Sequence, residues 1–448
     1  MLTLIENGSI VNEGRVFKGC VTVTDEKITG IYEDSSDGFF HQLERLEDVA
    51  DKVVDAEGMC VAPGVIDEHV HFREPGATQK GCIESESRAA ALGGVTSFMD
   101  MPNNNPPAVT NEAVEAKFAI AERTSTINYS FYLGATNSNL SEIENLDPKH
   151  IPAVKIFMGA STGDMLVDDP AALDAIFERC PILIATHCED SQMIGANLEE
   201  AKRHYCSLIP FRMHESIRSR EACMSSTRKA LDLALKHNSN LHILHLSTVE
   251  ELSMLGAAHE KNPNISGEIC VNYLFFDDSA YDRFGPLIKC NPSIKANADM
   301  LALRAALNDG TVRCIGTDHA PHLFSEKNQD YLHAPSGIPS VQYSLQMMVE
   351  LCRQGVFRLQ DVVGWMSHEP ARRYNIKDRG FLRKGYKADI VIFNAEKPSM
   401  VIPASRAGWF LIDKFGSTVV HTMVNGILVV ENGKLTLARN SQPLVFDR

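Results

Sequence analysis

The chain has 448 residues, 44% of them hydrophobic and 23% charged, which is ordinary for a globular protein and enough for one large barrel plus a smaller unit. A formal charge of −15, with no Lys/Arg block to reverse it locally, argues against a nucleic-acid partner. Eleven cysteines without a CxxC pair read as reduced thiols. No apolar run reaches membrane-spanning length and the start lacks a secretion signal, so a soluble, cytoplasmic protein with no membrane partner is expected.

In chain order, the first stretch, "LTLIENGSIVNEGRVFKGCVTVTDEKITGIYE", has short alternating runs broken by Asn-Gly and Glu-Gly. That texture predicts hairpins. The last stretch repeats it in "ADIVIFNAEKPSMVI" and "STVVHTMVNGILVVENGKL". Neither end makes a comfortable core alone, so residues 1–58 and 380–448 are expected to build one composite β-sandwich domain. Between them, residues 59–379 carry short apolar strands at "CVAPGVIDEHVH", "VTSFMDM", "INYSFYLG", "AVKIFM", "ILIATH", "LHILHL", "EICVNYL" and "VRCIGT". Helical patterns lie between most of them. Eight strands alternating with helices predict an α/β fold of the (β/α)8 TIM-barrel type. The stretch from Cys188 to Asn240 is too long for one helix and reads as an insertion or helical pair. An open doubly wound sheet is the structural alternative, but no GxGxxG follows the first strand.

In such a barrel the active site lies at the C-terminal ends of the strands. There the first strand places His69 and His71, two residues apart and so on one side of the strand, followed by Arg73. The second runs into Asn103, the fourth carries Lys155, the fifth ends in His187, the sixth in His245 and the eighth in Asp318. Each has a bland reading alone: a hydrogen-bonded rim histidine, a snorkelling lysine, a helix-capping aspartate. Four histidines and an aspartate at successive strand ends are hard to attribute to chance. Imidazole with carboxylate suits zinc and similar divalent ions. The set is too large for one tetrahedral catalytic ion and too small for two without a bridge. Lys155 supplies a bridge if its neutral amine has combined with carbon dioxide, since the carbamate offers two oxygens. Two divalent ions against a carbamate, Asp318 and a hydroxide leave one excess positive charge before Arg73 is added. Such a site prefers an anionic substrate.

The stretches "DEHVHFREPG", "GGVTSFMDMPNNNPP", "VKIFMGAS", "THCED", "HILHLST", "KCNPSIK" and "GTDHAPH" run in order across nearly the whole chain. Through them the chain resembles the dihydroorotases, in the cyclic-amidohydrolase branch of the amidohydrolase superfamily. The resemblance implies that His69 and His71 bind a first metal, His187 and His245 a second, and that a carbamylated Lys155 bridges them. It implies that Asp318 is both a first-metal ligand and the catalytic proton shuttle. Arg73 and Asn103 match positions that bind the substrate carboxylate, and Asn291 and His322 match further substrate contacts. Two departures stand out. Asn272-Tyr273 replaces a His-His pair found in many bacterial relatives, and the 333–345 loop is looser than the usual pattern, although Gly337 and Ile338 align.

The leading expectation is reversible hydrolysis of dihydroorotate to N-carbamoyl-aspartate, in pyrimidine biosynthesis, by a homo-oligomer (dimer or tetramer). An allantoinase or hydantoinase shares the metal core, but its substrate has no ring carboxylate to satisfy Arg73. An inactive scaffold of the same fold is the reading from another class, against which the intact ligand set counts.

Overall fold

The computed structural model describes residues 1–159 and 165–448; Ala160 and Ser161, which end the "VKIFMGAS" stretch, lie outside them. Leu2–Asn12 and Arg15–Thr24 form an antiparallel hairpin, and Lys27–Glu33 pairs beyond it. The hairpin turns take both central residues to positive φ: Glu13 and Gly14 at 49° and 77°, Asn425 and Gly426 at 45° and 80°, Asn432 and Gly433 at 51° and 71°. That geometry matches the right-handed twist of the flanking strands, and it is why Asn-Gly is a legible turn signal. Cys60–Pro63 runs parallel to Leu2–Asn12 on one side and antiparallel to Ile390–Asn394 on the other. Segments from the two ends of the chain thus share one nine-stranded sheet. Ile5, Val21, Val61, Ile390 and Ile392 fill its own apolar cluster. The helix Phe39–Val49 was not expected; Phe39, Leu43 and Leu46 form a stripe at helical spacing that packs on Leu4 and Cys20.

The middle of the chain closes into a barrel of parallel strands. Val65–Val70, Val95–Asp100 and Asn128–Phe131 form one arc; Leu133–Gly134, Val154–Phe157, Ile184–His187, Leu241–Ile243, Ile265–Cys270 and Cys314–Gly316 form the other. The third barrel position is therefore split between two short pieces, and a parallel bridge from Val70 to His319 joins the last strand back to the first. Val95–Asp100 is buried along its whole length, as expected where helices cover the sheet and strands read as continuous apolar runs. The long insertion resolves into three α-helices, Ser191–Tyr205, His214–Ile217 and Arg220–His237, with a 3-10 turn at Phe211–Met213. Strand ends are set by helix starts close behind them. Thr248 and Glu251 make a capping box at the head of Val249–His259, three residues after His245. Asp190 caps Ser191–Tyr205 just after His187. Among the described residues no helix is long and apolar enough to cross a membrane.

Candidate active site

Three side chains at the strand ends are aimed by unusual backbone. Arg73, His245 and Asp318 take left-handed φ values of 67°, 41° and 49°. For a non-glycine residue this costs roughly 1–2 kcal/mol, and such cost is typically tolerated where a side chain must point somewhere particular. Asp67 stiffens the same rim. Its Oδ1 accepts from the amides of His69 and Thr317 at 3.2 Å each, and its Oδ2 from the Thr317 hydroxyl at 2.6 Å, tying the first barrel strand to the last.

The imidazoles are oriented from behind. His69 Nδ1 meets Glu268 Oε1 at 2.5 Å, and His71 Nδ1 meets Asn103 Oδ1 at 2.6 Å. Each oxygen accepts the Nδ1 hydrogen, which leaves the Nε2 lone pair facing inward. Those two nitrogens lie 3.3 Å and 3.0 Å from Asp318 Oδ1, so His69, His71 and Asp318 converge on one point. On the other side His187 Nδ1 and His245 Nε2 lie 2.9 Å apart, and His187 Nε2 lies 3.2 Å from Glu189 Oε2. A ring held by an oxygen on its far nitrogen is the usual arrangement behind a metal-binding histidine. Burial pushes His69, His187 and His245 below the ordinary histidine range, so these rings are neutral and have lone pairs to give at neutral pH. Burial raises the Asp318 carboxyl, but the facing His69 and His71 more than reverse that, and it stays ionised. Lys155 is 1% exposed, its Nζ 4.6 Å from the Phe157 ring centre. Burial lowers its pKa to about 8. Neutral imidazoles, an ionised carboxylate and a lysine with accessible neutral amine fit a divalent metal centre.

All ten residues singled out in the sequence line one cavity of about 270 Å³, with Phe157, Ala320, Pro335, Ser336 and Gly337 completing its wall. Arg73 donates to Pro321 O at 3.3 Å and lies 3.2 Å from His322 Nε2. His322 is held by Ser336 O at 3.1 Å, by Lys80 Nζ at 3.3 Å on Nδ1, and by Trp409, which donates to its carbonyl at 2.8 Å. Burial, with Arg73 and Lys80 beside it, keeps that ring neutral. Asn291 Oδ1 is buried without a hydrogen-bond partner among the described residues. Asn272 and Tyr273 do not line the cavity. Tyr273 donates to Pro292 O at 2.7 Å and Asn272 accepts from Ser340 at 3.0 Å, so they brace its walls from behind.

Sequence reasoning passed over Glu268 and Glu189. Glu268 precedes "ICVNY" by alternation on an inward-facing strand, and Glu189 sits in the "THCED" stretch two residues after His187. Glu268 has no spacing signature, because its partner His69 comes from another strand, whereas the His-Cys-Glu spacing of Glu189 was a signal within reach.

A parallel barrel with converging imidazoles and a carboxylate at the C-terminal rim defines a metal-dependent hydrolase. Residues 60–429 match the Amidohydrolase family, and the chain belongs to that family. It is similar to the dihydroorotases of Methanosarcina acetivorans (31% identity, 80% of this chain and 79% of the relative) and Methanothermobacter thermautotrophicus (30%, covering 89% and 90%). Among solved structures it superposes on the L-hydantoinase of Arthrobacter aurescens with a TM-score of 0.92 at 25% identity over 99% of both chains. The dihydropyrimidinase of Brevibacillus agri shares the fold, with a TM-score of 0.87 at 23% identity over 100% of both. The protein is a metal-dependent cyclic amidohydrolase.

Proposed function

We propose that the protein is a dihydroorotase, interconverting (S)-dihydroorotate and N-carbamoyl-L-aspartate in pyrimidine biosynthesis. One observation carries the choice of substrate. Arg73 faces the cavity as a half-buried guanidinium, and no carboxylate among the described residues lies within 4.0 Å of it. Burial lowers its pKa, but not enough to take its charge. A cation in that position asks for an anionic ligand, and a ring carboxylate fits its planar fork. Asn103, whose Oδ1 is committed to His71, keeps its amide hydrogens for the same group. Asn291 and His322 face the rest of the ring.

In this reading His69, His71 and Asp318 would hold one metal and His187 and His245 another, with a carbamate on Lys155 as the ligand they would share. Zinc suits these donors. Metals held there would supply the acidification of a water and the polarisation of the ring carbonyl. Asp318 takes the water's proton and returns it to the ring nitrogen as the C–N bond breaks. Arg73 and Asn103 fix the carboxylate so that the amide carbon faces the centre. Eleven free thiols, most of them buried, fit a cytoplasmic enzyme.

A hydantoinase is the second reading, favoured by the likeness to the Arthrobacter enzyme. Specificity constants for dihydroorotate, allantoin and an uncharged hydantoin, in wild type and Arg73→Ala, separate them. A buried charge-assisted contact is worth ~1.5–3 kcal/mol, so the variant should lose about tenfold or more on dihydroorotate and far less on the uncharged ring. Equal losses on both would make Arg73 structural. Turnover of the uncharged ring alone by wild type would give the hydantoinase reading precedence.

A further inference from the structure

Inside the barrel, Glu68, His242 and Glu268 bring one ligand atom each to within 4.8 Å of one another, and all three are 0% exposed. His242 Nδ1 lies 2.7 Å from Ser266 Oγ, whose own hydrogen is directed to Leu241 O at 3.5 Å. In the tautomer with its proton on Nδ1, Ser266 accepts that proton and the ring carries its lone pair on Nε2. That Nε2 lies 3.5 Å from Glu268 Oε2. Neither atom has a hydrogen-bond partner among the described residues, and neither do the two oxygens of Glu68. In that tautomer and with Glu68 ionised, four acceptor atoms share a buried interior with no donor between them among the described residues.

Most neighbouring donors are committed elsewhere, although Arg373 Nε is buried without a partner among the described residues. Tyr132 Oη serves the backbone carbonyl of Glu68, and Arg373 Nη2 serves the carbonyls of Leu241 and Asn264. The Thr317 hydroxyl is spent on Asp67. Buried lone pairs that face one another need a positive centre.

We infer that Glu68, His242 and Glu268 form a buried divalent-cation site beneath the reaction centre. Two carboxylates balance the ion's charge, and an imidazole among them selects zinc or a similar borderline ion over magnesium or calcium. Glu268 is shared: Oε2 faces this site while Oε1 holds His69 Nδ1. The ion therefore sets the position of the carboxylate that aims the first imidazole of the HxH pair. The inference does not depend on which ring the enzyme opens.

The test counts zinc per chain, by elemental mass spectrometry, in full-length wild type, Glu68→Gln and Glu68→Met prepared with zinc in excess. Both variants should carry one equivalent less than wild type, and anomalous scattering at the zinc edge from their crystals should place the missing ion here and not at the reaction centre. Equal zinc in all three would overturn the site and leave a proton on Glu68 as the positive centre. Where a variant does not fold, or sheds all its zinc, anomalous scattering at the zinc edge from wild-type crystals decides. A peak bonded to Glu68, His242 and Glu268 at roughly 2.0–2.2 Å supports the site. A map with density at the reaction centre and none here overturns it.

Discussion

Asp318 shows how much a single residue is asked to do. Its carboxylate faces both imidazoles of the HxH pair, and its left-handed backbone turns it over the cavity from the last barrel strand. Asp318→Asn keeps the size and removes the basicity. Turnover should fall by at least the ~100-fold typical of general acid–base catalysis. A near-normal rate and pH profile would show that another group moves the proton. Lys155 gives a pH-dependent counterpart. Only the neutral amine combines with carbon dioxide, and burial places its pKa at about 8 in the metal-free site. The neutral fraction grows as pH rises through that value. At fixed dissolved carbon dioxide, reactivation of metal-free enzyme by zinc should therefore quicken from pH 7 to pH 9 and then level off. Lys155→Ala should neither reactivate nor retain most of its metal. A reactivation rate independent of pH, or full metal in the Ala variant, would remove Lys155 from the bridging role.

Among the elements, the cavity wall at Pro335–Gly337 has no regular secondary structure, yet two buried lysine amines hold it. Lys289 donates to Tyr331 O at 2.7 Å and Ala334 O at 2.6 Å; Lys327 donates to Lys289 O at 2.9 Å and Pro335 O at 3.0 Å. The segment bearing Asn291 and the wall opposite are thereby cross-bonded through backbone carbonyls. Gly337 closes the arrangement. A Cβ there would sit 2.4 Å from Ala320 O, at a φ of 145°. Lys327→Met keeps the length and removes the donors, so the wall should loosen while the metal donors stay in place. The expected result is a rise in KM of about tenfold, the ~1.4 kcal/mol of one or two lost hydrogen bonds, with kcat within a few-fold of wild type. A fall confined to kcat would mean that the lysine acts on the reacting centre instead.

For the whole molecule, what could be read from sequence followed from what is local. The strand ends with their histidines, the Asn-Gly turns and the alternation of strand and helix each carry a signal within a few residues. Glu268 behind His69 and the split of the third barrel position between Phe131 and Leu133 depend on other strands, and no spacing announces them. The helix at Phe39–Val49 was missed for a different reason: its stripe is short and follows a Ser/Asp/Gly stretch that looks like loop. The same logic applies where the two ends of the chain meet the barrel. There Asp389 accepts from Asn425 N at 2.8 Å and from Asn128 Nδ2 at 3.1 Å, and pairs with Arg379, which also donates to Asn425 Oδ1 at 2.8 Å. Asn425 Nδ2 in turn donates to Asn128 Oδ1 at 2.8 Å. Asn128 belongs to the barrel, whereas Asp389 and Asn425 flank strands of the terminal sheet. Asp389→Ala leaves Arg379 buried, 4% exposed, without its carboxylate, and breaking one partner of such a pair costs ~3–5 kcal/mol. Because the network spans both parts, the loss should lower one shared thermal transition rather than split off an early one. Calorimetry on the wild type and the variant checks this. A separate low-temperature transition, with metal and activity retained through it, would show that the terminal sheet unfolds independently of the barrel that carries the site.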